Sequence, residues 1–389
     1  MKKHLLYAAI FMGALSSCSN DSETMSLQSN QPEAGRDVIK LAISNGTPLA
    51  TTRGTGMVGD TTTNAAWAGQ QLNIMMMKSN TLEYAQDPTL ETEDKNVMGN
   101  IQLTAPDGAK EGYITGIQAN VNGAGYPNYF YYPADGTYDF YGYHADNAAN
   151  GELTLNGNKL LLPILIDGTQ DLMTAKADFE TDSLKQAGKY EWGNSDYNYG
   201  AYAARREVQP TLDFKHLLTR LNFKSLHINT KENESPVYVT EIRIESQYKG
   251  TMAVANTEGE VGELVWDSEI TDLFLMQKED PAASLCNYVA LDTIKLDGTA
   301  KQIGDGIILP NAQSYKGYIT IIQQPEGRNQ FIKKEIPFTL TPNNQPAFSP
   351  STSYDVEIKV YGVQEIEVTA VLNQWNNEEL PSITPEDEI

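Results

Sequence analysis

Between residues 37 and 373 short runs of apolar and polar residues alternate, the pattern of strands that bury one face. In Asp37–Ser44, Ile39, Leu41 and Ile43 point one way, with Lys40 and Ala42 between them. In Val237–Ser246, Tyr238, Thr240, Ile242 and Ile244 share a predicted face, and Glu241, Arg243 and Glu245 take the solvent side. Ser353–Gly362 aligns Tyr354, Val356, Ile358 and Val360, and Gln364–Asn373 aligns Ile366, Val368, Ala370 and Leu372. Further strands are predicted at 72–77, 112–121, 138–144, 160–166, 172–177, 221–228, 317–323 and 335–340. Four Asp-Gly pairs, at 107–108, 135–136, 167–168 and 297–298, suit hairpin turns with positive φ. Helical periodicity is weak and confined to 177–188. The strand–helix alternation of a parallel sheet is missing, so the prediction is all-β.

The stretch Tyr190–Tyr202 is rich in Tyr, Asn and Gly and has loop composition, and the patterned run from Leu212 follows Arg205-Arg206-Glu207. That predicts two consecutive β-domains, 54–206 and 207–389, each large enough to own a core. No short-period repeat points to a solenoid or propeller. Hydrophobic residues make up 40 % of the 389, ordinary for a globular chain. Asp and Glu total 51 against 28 Lys and Arg, a formal net charge of −23, which repels phosphate backbones and argues against nucleic acid as a partner.

The N-terminus changes the picture. Lys2 and Lys3 precede an apolar run, Leu5–Leu15, too short to span a bilayer. Leu15-Ser16-Ser17-Cys18 resembles a lipobox, which makes 1–17 a lipoprotein signal peptide and Cys18 the lipidated first residue. Residues 18–36 are polar and read as a flexible tether, and their acidic start resembles a surface-export signal. Lipid on Cys18 would hold the body on the outer membrane, exposed at the cell surface, without a transmembrane helix. The other cysteine, Cys286, is then alone and is expected to be a small buried hydrophobe.

Catalytic motifs are scarce. Gly54-Thr55-Gly56-Met57-Val58-Gly59 matches a dinucleotide fingerprint in letters, but no helix follows, so it reads as a Gly-rich loop. His144, His216 and His227 are far apart and have no metalloprotease spacing. Asp146–Glu152 has the look of a calcium loop but lacks the twelfth-position ligand. No enzyme, metal site or cofactor is expected. Eight tyrosines lie between Tyr113 and Tyr143 (Tyr126, Tyr129, Tyr131, Tyr132, Tyr138 and Tyr141 among them). Exposed, such a cluster suits sugar or protein contacts, which keeps open a surface glycan-binding lipoprotein of a nutrient-uptake system. Buried, it is merely strand composition.

The order of these features resembles the fimbrillin (Mfa-like) family, type V pilus subunit lipoproteins of Bacteroidota. The carrying residues are the lipobox, Thr51-Thr52-Arg53-Gly54, Gly168-Thr169-Gln170-Asp171-Leu172-Met173, the run Leu212–Phe223, and Asn373-Gln374-Trp375-Asn376-Asn377. The resemblance implies two transthyretin-like Greek-key β-sandwiches in a subunit of a surface fimbrium, with other fimbrial subunits and a host or bacterial surface ligand as partners. It also implies that a trypsin-like extracellular protease cuts after an Arg beyond the first strand, here between Arg53 and Gly54. Segment 37–53, with Ile39, Leu41 and Ile43, would then be displaced by a donor strand. Competing sites are Arg36 and Arg205-Arg206. The acidic tail after Trp375, with Pro381 and Pro385, departs from a good donor. The candidate donor is therefore Ile366, Val368, Ala370 and Leu372.

Overall fold

The computed structural model describes residues 35–45, 71–87, 96–104, 130–185, 198–227, 236–277, 294–324, 331–343, 345–361 and 366–373. The first half holds β1 (Ala42–Asn45), β2 (Gln71–Lys78), β3 (Ile101–Thr104), β4 (Tyr138–His144), β5 (Thr154–Asn156), β6 (Lys159–Leu165) and β7 (Met173–Lys176). Helices α1 (Phe179–Lys185) and α2 (Ala201–Ala204) precede β8 (Thr211–His216) and β9 (Thr219–His227). Then come β10 (Val237–Gln247), β11 (Lys249–Asn256), β12 (Leu264–Trp266), β13 (Ile270–Gln277) and β14 (Ile294–Leu296). The chain continues through β15 (Lys301–Leu309), β16 (Tyr315–Gln323), β17 (Ile332–Leu340), β18 (Thr352–Val360) and β19 (Ile366–Asn373). The fold is all-β, as the alternation requires.

Four sheets make two sandwiches. A six-stranded sheet, β1-β8-β7-β4-β2-β3, faces a four-stranded sheet, β12-β11-β6-β5. Met75, Met77, Tyr141, Tyr143, Leu162, Ile164, Met252 and Val254 fill the space between them. The opposite face of the six-stranded sheet is buried as well, with Leu72, Ile74, Met76, Phe140, Leu212 and Phe214 packed against Ile39, Leu41, Val97, Met98, Tyr132, Tyr199 and Ala201. A sheet covered on both faces needs continuous apolar strands, which is why β2 reads Leu-Asn-Ile-Met-Met-Met. The second sandwich packs β13-β10-β16-β17 against β15-β9-β18-β19 around Phe223, Ile242, Ile319, Phe348, Tyr354, Val356 and Ile358.

Three sequence expectations need correction. The strand pairing does not divide at 206/207, because β8 lies inside the first sheet and β11 pairs with β6 over Lys249–Asn256. The chain passes between sandwiches at 217–218, at Tyr248 and at 267–269. Long-range pairing of this kind leaves no mark on local composition. In β10 the strict alternation fails, since a register shift between Val239 and Glu241 inserts one residue. The bulge moves the buried face from Val237 and Val239 to Ile242 and Ile244, so Tyr238 and Thr240 do not share it. The described Asp-Gly pairs are not hairpin turns. Asp167-Gly168 links β6 to β7 in different sheets, and Asp297-Gly298 links β14 to β15 in the same way.

Candidate strand-exchange groove

The segment expected to be displaced runs along the edge of the six-stranded sheet in two ways. Its first part pairs with 130–132: Ile39 N–H donates to the Phe130 carbonyl at 2.8 Å, Tyr132 N–H donates to the Asp37 carbonyl at 2.9 Å, and Val38 bridges Tyr131. Its second part, β1, pairs in parallel with β8, placing Ile43 opposite Leu212. Period two then does what it predicts, since Ile39 and Leu41 are each 1 % exposed while Lys40 between them is open to solvent. The two side chains do not sit between the two sheets. They pack on the outer face of the six-stranded sheet, under the layer formed by α1, α2, Ala85, Val97 and Met98.

Polar contacts that the sequence could not reveal hold this segment. The Gln209 side-chain carbonyl accepts the Lys40 N–H at 3.1 Å. Arg205 forms a two-pronged ion pair with Asp37, Nη2 to Oδ2 at 2.8 Å, and the carboxylate raises the guanidinium pKa through the hydrogen bond and its charge. Arg36 pairs with the buried carboxylate of Asp87 and lies 4.3 Å over the Tyr131 ring. Beside the groove, buried Asp182 accepts the Tyr199 hydroxyl at 2.6 Å and the Thr211 N–H at 2.8 Å, so it fixes the start of β8. Burial, and after it the Asp182 charge, push the Tyr199 phenol far above its ordinary range.

The remaining candidates fall as follows. Cys18, Arg53, Gly54, the Gly54–Gly59 loop, Cys286, Trp375, the tail and predicted strand 112–121 lie outside the described residues. Positions Ile366, Val368, Ala370 and Leu372 are in β19, opposite Val360, Ile358, Val356 and Tyr354 of β18, at the edge of their own sheet. Of the competing cleavage sites, Arg36 and Arg205 are ion-paired as above, and Arg206 stacks 3.4 Å from the Tyr202 ring. Tyr131, Tyr132, Tyr138, Tyr141 and Tyr143 are all buried, so these five offer no aromatic platform for a glycan. Tyr113, Tyr126 and Tyr129 lie outside the described residues. Asp146 turns its carboxylate to the Asp171 N–H and to His144.

Residues 60–375 match the model of the fimbrillin-like family, and the chain belongs to that family. It is a structural, fimbrial protein and not an enzyme. Among solved structures it is similar to a fimbrial protein from Bacteroides vulgatus ATCC 8482, at 15 % identity and TM-score 0.48, covering 87 % of this chain and 99 % of that one. It is also similar to the fimbrial anchor protein Mfa2 from Porphyromonas gingivalis, at 13 % identity and TM-score 0.38, covering 87 % and 97 %. No curated protein matches it.

Proposed function

We propose that this chain is a fimbrial subunit exported with lipid on Cys18, cut by a trypsin-like protease between Arg53 and Gly54, and polymerised by strand exchange at the outer membrane. The observation that carries the reading is the seating of Ile39 and Leu41, buried side chains on a segment paired to 130–132 and, through β1, to the edge of the six-stranded sheet. Removing that segment leaves unpaired backbone along 130–132 and β8 above an apolar trench. An incoming strand with knobs at the same two-residue pitch satisfies both. The competing arginines support cleavage elsewhere, because a protease must draw the side chain into its own pocket and Arg36, Arg205 and Arg206 are already engaged. The donor in this reading is 364–373 of a neighbouring copy or related subunit. A second reading is favoured by the full antiparallel register of β19 on β18: the strand stays home, and the subunit accepts a strand without giving one.

Mass spectrometry of the membrane-extracted protein, before and after limited trypsin, tests the proposal. The expected results are a lipidated Cys18, a first new terminus at Gly54, and binding of a synthetic 364–373 peptide by the cut body alone. A first cut exposing Asp37 or Glu207 overturns the maturation step. An unmodified Cys18 overturns the anchor. Peptide binding that is equal before and after the cut overturns the exchange.

A further inference from the structure

Two of the motifs that carried the family resemblance, Gly168–Met173 and Leu212–Phe223, meet at the joint between the sandwiches. In the first, the Asp167 carboxylate accepts from Thr169 N–H at 3.0 Å and Oγ at 2.6 Å, and the Gln170 side-chain carbonyl accepts the Asp167 N–H at 2.7 Å. The Gly168 carbonyl of this loop accepts the Ile308 N–H from β15 at 2.8 Å, which ties it to the second sandwich. In the second motif, Leu217 N–H donates to the Leu172 carbonyl at 2.8 Å, and Ser351 Oγ donates to the His216 carbonyl at 2.6 Å. Loop and crossover are therefore fastened to each other and to both bodies.

Two histidines and two aspartates lie between them. His216 Nδ1 is 2.7 Å from Asp171 Oδ2, and neither side chain is more than 2 % exposed. The Asp146 carboxylate accepts the Asp171 N–H at 2.9 Å and lies 3.1 Å from His144 Nε2. His144, also 1 % exposed at its side chain, places Nδ1 2.8 Å from the Gln71 carbonyl. A carbonyl only accepts, so Nδ1 carries the proton of its contact with Gln71. Nε2 makes no hydrogen bond among the described residues, so the Asp146 carboxylate 3.1 Å away acts on the ring through its charge alone.

We infer that His144 is a buried imidazolium and that, with Asp146, Asp171 and His216, it forms a proton-dependent clamp on the joint between the two sandwiches. The groups facing the ring are the Gln71 carbonyl from β2, Asp146 from the loop after β4, and Asp171 from the loop before β7, with His216 of β8 behind Asp171. Burial opposes the charge, but Asp146, Gln71 and Asp171 together outweigh it and hold the ring above the ordinary histidine pKa. A group whose folded pKa is raised stabilises fully below its unfolded value, about 6.5, and that stabilisation is lost as pH rises through the folded pKa. Losing the proton turns a ring lone pair toward an acceptor and removes the cation that offsets Asp146, whose other task is to hold the Asp171 backbone.

The test is ring-nitrogen NMR of the full chain from about pH 5 to about pH 9, with amide exchange read at Ile308 and Leu217 as protection relative to the intrinsic rate at each pH. One ring stays doubly protonated above the ordinary midpoint, and His144→Gln removes its signal. Protection at both amides falls through that ring's midpoint, by roughly tenfold for each unit by which the folded pKa exceeds the ordinary one, and this dependence vanishes in His144→Gln. If that variant does not fold, the wild-type spectra decide alone. A His144 ring titrating at or below the ordinary value, or joint protection flat through its midpoint, overturns the inference.

Discussion

Truncating Leu41 to Ala probes whether the N-terminal segment is a separable part of the fold. The side chain is 1 % exposed and packs with Ile39 against the outer face of the six-stranded sheet. Leu→Ala at a buried site costs about 2–5 kcal/mol, depending on how far the surroundings collapse. An edge segment flanked by an adjustable layer can relax, which places this site near the low end, at about 2–3 kcal/mol. If 36–45 opens as its own unit, the whole cost falls on that opening. At about 1.4 kcal/mol per factor of ten, its equilibrium constant rises roughly 30- to 150-fold. Hydrogen exchange reads this directly. The Ile39 amide, bonded to the Phe130 carbonyl, and the Tyr132 amide, bonded to Asp37, should accelerate by that factor. The Ile319 amide, in the centre of the second sandwich, should not change. Equal acceleration at Ile39 and Ile319 would refute the reasoning, because the segment would then open only when the whole chain unfolds.

Two further substitutions test neighbouring contacts. Gly168 has φ +97, and a Cβ there would meet Ile307 Cγ1 at 2.7 Å; Gly168→Ala combines backbone strain of about 1–2 kcal/mol with that clash and should lower the urea midpoint and the protection at Ile308, whereas an unchanged midpoint would mean the joint is looser than drawn. Tyr199→Phe removes the 2.6 Å hydrogen bond to buried Asp182 and should cost about 1.5–3 kcal/mol by denaturant titration, and a loss under about 0.5 kcal/mol would show that another group satisfies the carboxylate.

How much was legible in the sequence depends on how local each cause is. Strand β18 read correctly because its alternation matches one buried face from Tyr354 to Val360. The pair Ile39 and Leu41 was legible for the same reason. In β10 a bulge shifts the phase midway, and no residue in Val-Tyr-Val-Thr-Glu announces it. The tyrosines of β4 are interior because their sheet is covered twice, a property of layering that composition does not encode. His144 and His216 were set aside for their separation along the chain, yet β4 and β8 end beside the same Asp146–Asp171 pair. The partners of the N-terminal segment come from two distant places, Asp87 and the stretch holding Arg205 and Gln209, and nothing in the sequence linked them to it.

The groove and the joint share one strand, and this bears on what the proposed departure of the N-terminal segment would do. The first part of β8, Thr211–Phe214, forms the ladder that β1 occupies. Losing β1 makes β8 an edge strand, the kind most prone to fray or slip. Its start is held from outside the ladder by Asp182, which takes the Thr211 N–H. Its end is held by the Ser351 Oγ on the His216 carbonyl and by the Leu217 N–H on the Leu172 carbonyl. In between, Leu212 and Phe214 are packed on the outer face of the sheet against neighbours besides Ile39 and Leu41, and β7 pairs with Lys215 and His216 independently of β1. The layer between the two sheets, centred on Met75 and Tyr141, never touches Ile39 or Leu41. Emptying the groove would therefore remove contacts from one face only and leave β8, the strand that the proposal makes the acceptor, pinned at both ends in the register an incoming strand would have to match.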